Sequence, residues 1–421
     1  MLRFASSPIG DMHINDLRIA LLNYIVSKQK NEDFIVRIED IDKEKTVAGK
    51  DQETLDILGL FGIEYSHVVH QSQNIRFHSA MALQLLHEKK AFSCFCSDEW
   101  LQKKRDEAQK AQKEYCYDDA CRNLPAELVI DNTAPFTVRI VRPDAPVIVK
   151  DLLKGEISFD PDTVDSFVIM NHDKTPTYDF ACAVDDMLSD ISMIICHEKY
   201  LKNTPKQVHV RNQLQYNKEI EYVHLQGMKN EVSVKQLLEE GYLPEAISNY
   251  LISMGGNPPK EIFTLKEAIE WFDLDKLVNR PVSFDQDRLK QINKEHLKNL
   301  DATELSRYVG FADPEIGELT RIYLEEVGTT KELKEKIASI FTKRDTAHGL
   351  AQEMQSMEKA IKNAPYFEEY HDFKSYIMDK TGLKGENFVK LLRMLLTNAE
   401  HGPDIEKIYK YLKNYLKEII K

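Results

Sequence analysis

The sequence predicts an α/β nucleotide-binding domain that carries an inserted α+β domain and is followed by an all-α region. Three observations predict it. A short strand, a turn holding Pro8 and Gly10 and an amphipathic helix open the chain. From about Ala91 to Met170 the pattern changes to short β-rich pieces around one charged helix. After Val232 nearly every segment has helical period, and from Leu300 to Lys421 strands are hard to find and glycines sparse.

In chain order, Asn15 to Lys30 places Leu17, Ala20, Leu21, Tyr24 and Ile25 at helical spacing. Phe34-Ile35-Val36-Arg37-Ile38 reads as a short buried strand, and helices are predicted over 49–61 and 75–90. FTVRIVR and VIVKDLLKGEISF supply the strands of the insertion. Tyr178 to Cys196 reads as strand-rich and returns to the first domain, with a helix after Asn203. No internal repeat is visible. The predicted divisions are 1–80 and 178–230 for the two halves of the α/β domain, 81–177 for the insertion, and 231–300 and 301–421 for two helical regions.

A chain of 421 residues is too long for one ordinary domain. Its 42% hydrophobic and 30% charged residues are normal for a soluble protein, and no apolar run reaches the length of a membrane span. MLRFASSPIG lacks the basic and apolar regions of a secretory signal, so a cytoplasmic protein without a membrane partner is expected; six cysteines are few for this length and do not suggest a disulfide scaffold. The net charge of −13 means that a nucleic-acid partner would need a local basic face. Lys103-Lys104-Arg105 is such a cluster, but it also suits an ordinary solvated helix face.

Ser7-Pro8-Ile9-Gly10-Asp11-Met12-His13-Ile14-Asn15-Asp16 lies between the first strand and the first helix. α/β folds bind phosphates at this place, because free backbone N–H groups and the helix dipole favour an anion. Gly10 allows close backbone approach, and His13 could donate to a triphosphate. Taken alone, His13 would read as a loop histidine.

RFASSPIGDMHIND, the helix LRIALLNYIVSKQ and the strand FIVRIEDID resemble the start of glutamyl-tRNA synthetases, a bacterial class I aminoacyl-tRNA synthetase family. The likeness continues through DKTPTYDFACAVDD, KNTPKQVHVRNQL and VSVKQLLEEGYLPEAISNYLISMG. It implies a Rossmann-type class I catalytic domain, with 81–177 as an acceptor-binding insertion, 231–300 as a stem-contact region and 301–421 as an anticodon-binding region. It implies ATP with Mg²⁺, glutamate and a Glu-type or Gln-type tRNA as substrates, and a monomer. By the same resemblance Arg3, Ser7, Glu39 and Tyr178 would hold glutamate, and Gly10, His13 and Lys229 would meet ATP, His13 and Lys229 as catalytic groups. Arginine suits a carboxylate and glutamate an ammonium group; a surface ion pair would explain Arg3 or Glu39 alone, but poorly both.

Three departures from the family pattern bear on activity. Asn15 stands where a glycine lets adenine lie against the backbone, so a side chain there is expected to obstruct the base. Cys196, in Ile195-Cys196-His197-Glu198-Lys199-Tyr200, replaces an arginine that reads the substrate's side-chain carboxylate. Losing one partner of a desolvated charge pair commonly costs about 2–5 kcal/mol. Before Met228 a segment is missing, and only Lys229 remains of the family's catalytic lysines. Weak or absent adenylation is therefore expected, and a catalytically inactive tRNA-binding paralogue is the alternative to a working glutamate–tRNA ligase.

Cys94-Phe95-Cys96, with Cys116 and Cys121 following, suggests zinc, although buried inert cysteines give the same pattern. The family resemblance implies Cys94, Cys96, Tyr117 and Cys121 as ligands. Near the C-terminus Tyr409, Tyr411 and Tyr415 read as core or interface rather than a base-stacking platform.

Overall fold

The computed structural model describes residues 1–342 and 351–420. Residues 343–350 and 421, within the region read as helical from 301 onward, lie outside it. The chain forms two compact units, Met1–Val234 with Leu251–Phe284 and Lys235–Tyr250 with Asp285–Lys421.

The first unit starts with β1 (Leu2–Ser6), α1 (Ile14–Lys30) and β2 (Phe34–Ile38), as the apolar spacing predicts. There follow α2 (Lys50–Leu60), β3 (Val68–His70), α3 (Ile75–His87), β4 (Ala91–Cys94), α4 (Asp98–Lys110), α5 (Ala126–Ile130), β5 (Thr137–Ile140), β6 (Val147–Asp151), β7 (Gly155–Phe159), α6 (Pro161–Val164) and β8 (Val168–Met170). The unit returns through α7 (Tyr178–Leu188), β9 (Met193–His197), α8 (Thr204–Gln213) and β10 (Glu221–Leu225).

Seven strands form one sheet in the order β3-β2-β1-β9-β10-β6-β7, and β4-β5-β8 form a second, antiparallel sheet. All pairs of the large sheet are parallel except β6–β7. Parallel strands are buried on both faces, which is why β2 is apolar along its length apart from Arg37. Residues 81–177 are thus shared between two sheets: β4, β5 and β8 stand apart, whereas β6 and β7 complete the edge of the large sheet. The core between the small sheet and the helices gathers Leu85, Ile140, Ile169, Phe180, Val184 and Val210.

The segment read as strand-rich, Tyr178 to Cys196, is mostly the helix α7, with only Met193–His197 extended. All residues from Phe180 to Asp186 are buried, so no polar stripe discloses the helical period.

Beyond β10 the described residues form helices, as their period predicts: α9 (Val234–Glu239), α10 (Pro244–Ser253), α11 (Leu265–Trp271), α12 (Gln286–Asn299), α13 (Ala302–Tyr308), α14 (Pro314–Tyr323), α15 (Thr330–Ile340), α16 (Ala351–Lys362), α17 (Tyr370–Thr381), α18 (Gly385–Thr397) and α19 (Ile405–Leu412). No described helix is long and apolar enough to cross a membrane. Tyr409 is a core residue of the second unit: its ring stacks on Phe373 at 4.7 Å and its hydroxyl donates to the Phe367 carbonyl at 2.9 Å. Tyr415 packs edge-on against Phe341 and bonds Asp313, while Lys410 lies over the Tyr411 ring.

Candidate active site

Strand order reverses at β1, which has β2 on one side and β9 on the other. In open parallel sheets ligands bind beyond the carboxyl ends of the strands at such a switch point. A cavity of about 270 Å³ lies there, lined by Arg3, Ser7, Gly10, His13, Glu39 and Tyr178 among others. Six of the seven residues expected to meet amino acid or ATP therefore share one cleft. Lys229 is the exception: its side chain is exposed and absent from the lining, and its backbone N–H donates to the Val282 carbonyl at 3.1 Å.

β1 and β2 deliver the polar groups of one end of the cleft. Arg3 is buried, and its Nε and Nη2 donate to Asp186 of α7 at 2.8 and 3.3 Å. Arg37 donates from Nη1 to the same carboxylate at 2.5 Å and from Nη2 to Glu39 at 3.2 Å. The Ser7 hydroxyl donates to the other Glu39 oxygen at 3.1 Å. Burial alone would raise the Asp186 carboxyl, but the Arg3 and Arg37 guanidinia outweigh it and hold it well below the usual carboxylate range. Glu39 is thereby fixed in place with its carboxylate on the cavity. Tyr178, the first residue of α7, stacks on Tyr200 with ring centroids 6.2 Å apart.

Cys182 and Cys196 line the same space. Cys182 donates from Sγ to Glu39 at 3.4 Å. Burial raises both thiols, Cys196 to about 12, so neither brings charge to the pocket at neutral pH.

At the other end, Gly10 has no atom within 4 Å of where a Cβ would stand, and the backbone there is open. His13 caps α1 with extended backbone, and its N–H donates to Asp16 at 3.4 Å. Asn15 is buried, and its amide is engaged with the backbone of the loop before α9. It accepts from Met228 N–H at 2.9 Å and donates to the Met228 carbonyl at 3.3 Å. The shortened loop is further sewn to the helix start by Ile14 N–H to Val232 O, 3.0 Å, and Val234 N–H to Met12 O, 2.9 Å. It contributes Glu231 to the lining, beside Asp11 and Asp16.

Sequence reasoning missed Arg37, Asp186, Tyr200, Gln207 and Tyr222 as lining or supporting residues. The signal available was a charge inside an apolar strand, FIVRI, and a paired Asp185-Asp186 inside a buried helix.

The cysteine cluster lies apart from the cleft. Sulfurs of Cys94, Cys96 and Cys121 lie within 4.8 Å of one another, Cys96 and Cys121 at 3.5 Å. The buried Tyr117 hydroxyl is 3.4 and 3.3 Å from the first two sulfurs. Burial would raise the Cys94 thiol, but hydrogen bonds led by Tyr117 outweigh it and bring it down to about 7. Three sulfurs and a phenol converging at this spacing fit a tetrahedral zinc ion with Zn–S bonds of about 2.3 Å. The basic run on α4 is occupied locally: Lys104 lies over the Trp100 ring at 5.2 Å and Arg105 over Tyr115 at 5.7 Å.

Residues 1–291 match the family described as tRNA synthetases class I (E and Q), catalytic domain. The chain is 60% identical to a protein named glutamate–tRNA ligase 2 from Sulfurimonas denitrificans, with all of both chains covered. It is 47% identical to a protein named glutamate–tRNA ligase 1 from Nitratiruptor sp., again over the whole of both. The first alignment spans 432 positions against 421 residues here, so that relative has positions without a counterpart in this chain. Among solved structures, a glutamate tRNA ligase from Elizabethkingia meningosepticum, in complex with its amino acid, has a TM-score of 0.83 at 23% identity. That match covers 99% of this chain and 97% of the other. This last likeness speaks for the fold. With a matching catalytic-domain family over more than half its length and full-length relatives at such identity, the chain belongs to the class I tRNA synthetases for glutamate and glutamine.

Proposed function

We propose that the chain is a glutamate–tRNA ligase that activates glutamate with ATP and transfers it to the 3′ end of a Glu-type or Gln-type tRNA. The observation that carries this reading is the cleft in which Arg3, Ser7, Glu39 and Tyr178 meet Gly10 and His13. Glu39, held by Ser7 and Arg37, receives the substrate ammonium group; Arg3 supplies positive charge for a carboxylate. Gly10, His13 and the start of α1 face the triphosphate. An oxygen of the substrate α-carboxylate attacks the α-phosphorus of ATP and pyrophosphate leaves. The terminal ribose hydroxyl of tRNA then attacks the activated carbonyl and AMP leaves. Asp16 and Glu231 at the phosphate end repel a bare polyphosphate, Asp11 being paired with Lys50, so ATP is expected to arrive with its Mg²⁺. With Lys229 outside the cleft, slow adenylation is the expectation.

A zinc ion held by Cys94, Cys96, Tyr117 and Cys121 belongs to the same reading; it would close the loop that carries α4, from the end of β4 to Cys121. The protein is proposed to act as a monomer.

The test is glutamate-dependent exchange of pyrophosphate into ATP, run with tRNA present. Exchange above the rate without glutamate supports the ligase. Its absence, together with salt-sensitive tRNA binding, would replace this reading with that of an inactive tRNA-binding paralogue.

A further inference from the structure

We infer that Tyr222, oriented by Arg211, is a specificity-determining residue that reads the side-chain carboxylate of the amino-acid substrate in the space left by Cys196. The inference rests on the ligase reading above and names a group that reading does not use.

The argument begins with sheet register. Arg3 lies on β1, Cys196 and Ile194 on β9 and Tyr222 on β10, where Tyr222 is paired with Ile194 and His224 with Cys196. Paired parallel residues project to the same face, so Ile194, Cys196 and Tyr222 form one floor, and all three line the cavity with Arg3. Cys196 is a neutral thiol on this floor. His224, opposite Cys196, is bonded to Asp151 and Thr204 and does not line the cavity; Tyr222, two residues before it and opposite Ile194, is the polar side chain of β10 that does, and only 3% of its surface is exposed.

The direction of the Tyr222 hydroxyl follows from its partner. Arg211 of α8 lies behind the ring and donates from Nη2 to the phenolic oxygen. A guanidinium has no acceptor, so the phenol oxygen must be the acceptor and its own proton must go elsewhere. No acceptor for that proton exists among the described residues, and the residue faces the cavity. A buried phenol with a spare O–H beside a fixed cation is a donor waiting for an anion. Arg211 itself is 4% exposed, and its Nη1 has no hydrogen-bond partner.

The buried charges point to the same ligand. Arg3, Arg37 and Arg211 bring three positive charges near Asp186, which also feels Arg211, and Glu39. The other buried carboxylates, Asp185 with His78 and Asn74 and Asp151 with His224, do not line the cavity. A carboxylate side chain meets Arg3 and the Tyr222 O–H with a charge they can pair with, whereas the corresponding amide offers none, which favours glutamate over glutamine.

The experiment compares wild type with Tyr222→Phe, Arg211→Gln and Tyr222→Phe/Cys196→Arg. Calorimetric titration with glutamate and with glutamine reads binding directly, and pyrophosphate exchange reads KM for glutamate and for ATP. Loss of a charge-assisted hydrogen bond in a buried pocket is expected to weaken glutamate about tenfold or more in Tyr222→Phe. The preference for glutamate over glutamine should fall by a similar factor, while the KM for ATP stays within about twofold. Arg211→Gln should act in the same direction, and Cys196→Arg should restore glutamate binding to Tyr222→Phe. Thermal melts separate these effects from misfolding; if Arg211→Gln does not fold, Tyr222→Phe, which keeps the ring, still decides. Unchanged glutamate affinity and selectivity in Tyr222→Phe overturn the inference and leave the ligase reading intact. A wild type that neither binds glutamate nor exchanges overturns both.

Discussion

Asp186 has no exposed side-chain surface, yet it carries two guanidinia on its carboxylate. Removing its charge strands Arg3 and Arg37 in the interior, and breaking a buried pair of this kind costs about 3–5 kcal/mol. Asp186→Asn should therefore lower stability to urea by that order at neutral pH. The pH dependence has a definite sign. The folded pKa is depressed below the roughly 3.9 of an unfolded aspartate, so the stabilisation is present in full above that value and is lost as pH falls through the folded pKa. The gap between wild type and Asp186→Asn should stay constant from about pH 5 to 8 and shrink below about pH 4; a gap that instead closes near neutrality contradicts the assignment. At Asn15 the structure changes the meaning of a departure that was legible in the sequence. Its side chain is not loose in the cavity but bonded to both backbone groups of Met228. Asn15→Gly leaves those two buried groups without partners, at about 1–3 kcal/mol each when water cannot replace the bonds. Amide exchange of residues 226–231 should then accelerate markedly, and unchanged protection there would show that the clamp holds nothing. Arg3, Ser7 and Glu39 were legible because they sit in two short motifs, RFASSPIGDMHIND and FIVRIEDID, either side of the first helix. Arg37 and Asp186 were not, because their partnership joins strand and helix across 149 sequence positions.

Among the elements, β1, α1 and β2 were readable from apolar period and turn residues alone. α7 was not, since burial on every side erased its amphipathic stripe. The second unit shows the complementary case, where period announces the helices and a single small residue decides their packing. A Cβ on Gly317 of α14 would stand 1.7 Å from the carbonyl oxygen of Ala302, the first residue of α13. No rotamer can relieve a clash between backbone atoms, so the two helices must move apart. Gly317→Ala is expected to destabilise the second unit by about 1–3 kcal/mol, against the gain that alanine normally brings inside a helix. A thermal melt in which the variant equals or exceeds wild type would exclude this close approach.

For the molecule as a whole, 81–177 was read as an insertion on composition, but composition cannot say which strands join which sheet. Pairing over long sequence separations decided that β6 lies beside β10. The proposed zinc belongs at this scale because it would secure one whole region of the chain, the loop from Cys94 to Cys121. Purified protein should hold about one zinc per chain by elemental analysis. Removing it with a chelator should expose β4, β5 and the segment from Cys94 to Cys121 to amide exchange while β1 and α1 remain protected. Zinc well below stoichiometric amounts after mild purification ends the proposal.

The shared ownership of 81–177 also limits how this chain can be pared down. Excision of that span as a cassette would take β6 and β7 with it, together with Asp151, whose carboxylate receives both the backbone and the ring nitrogen of His224. β10 would then become a bare border with its peptide groups turned outward, a template on which two truncated copies could join. A smaller version that stays soluble would have to retain Val147–Phe159, trimming only the stretches on either side.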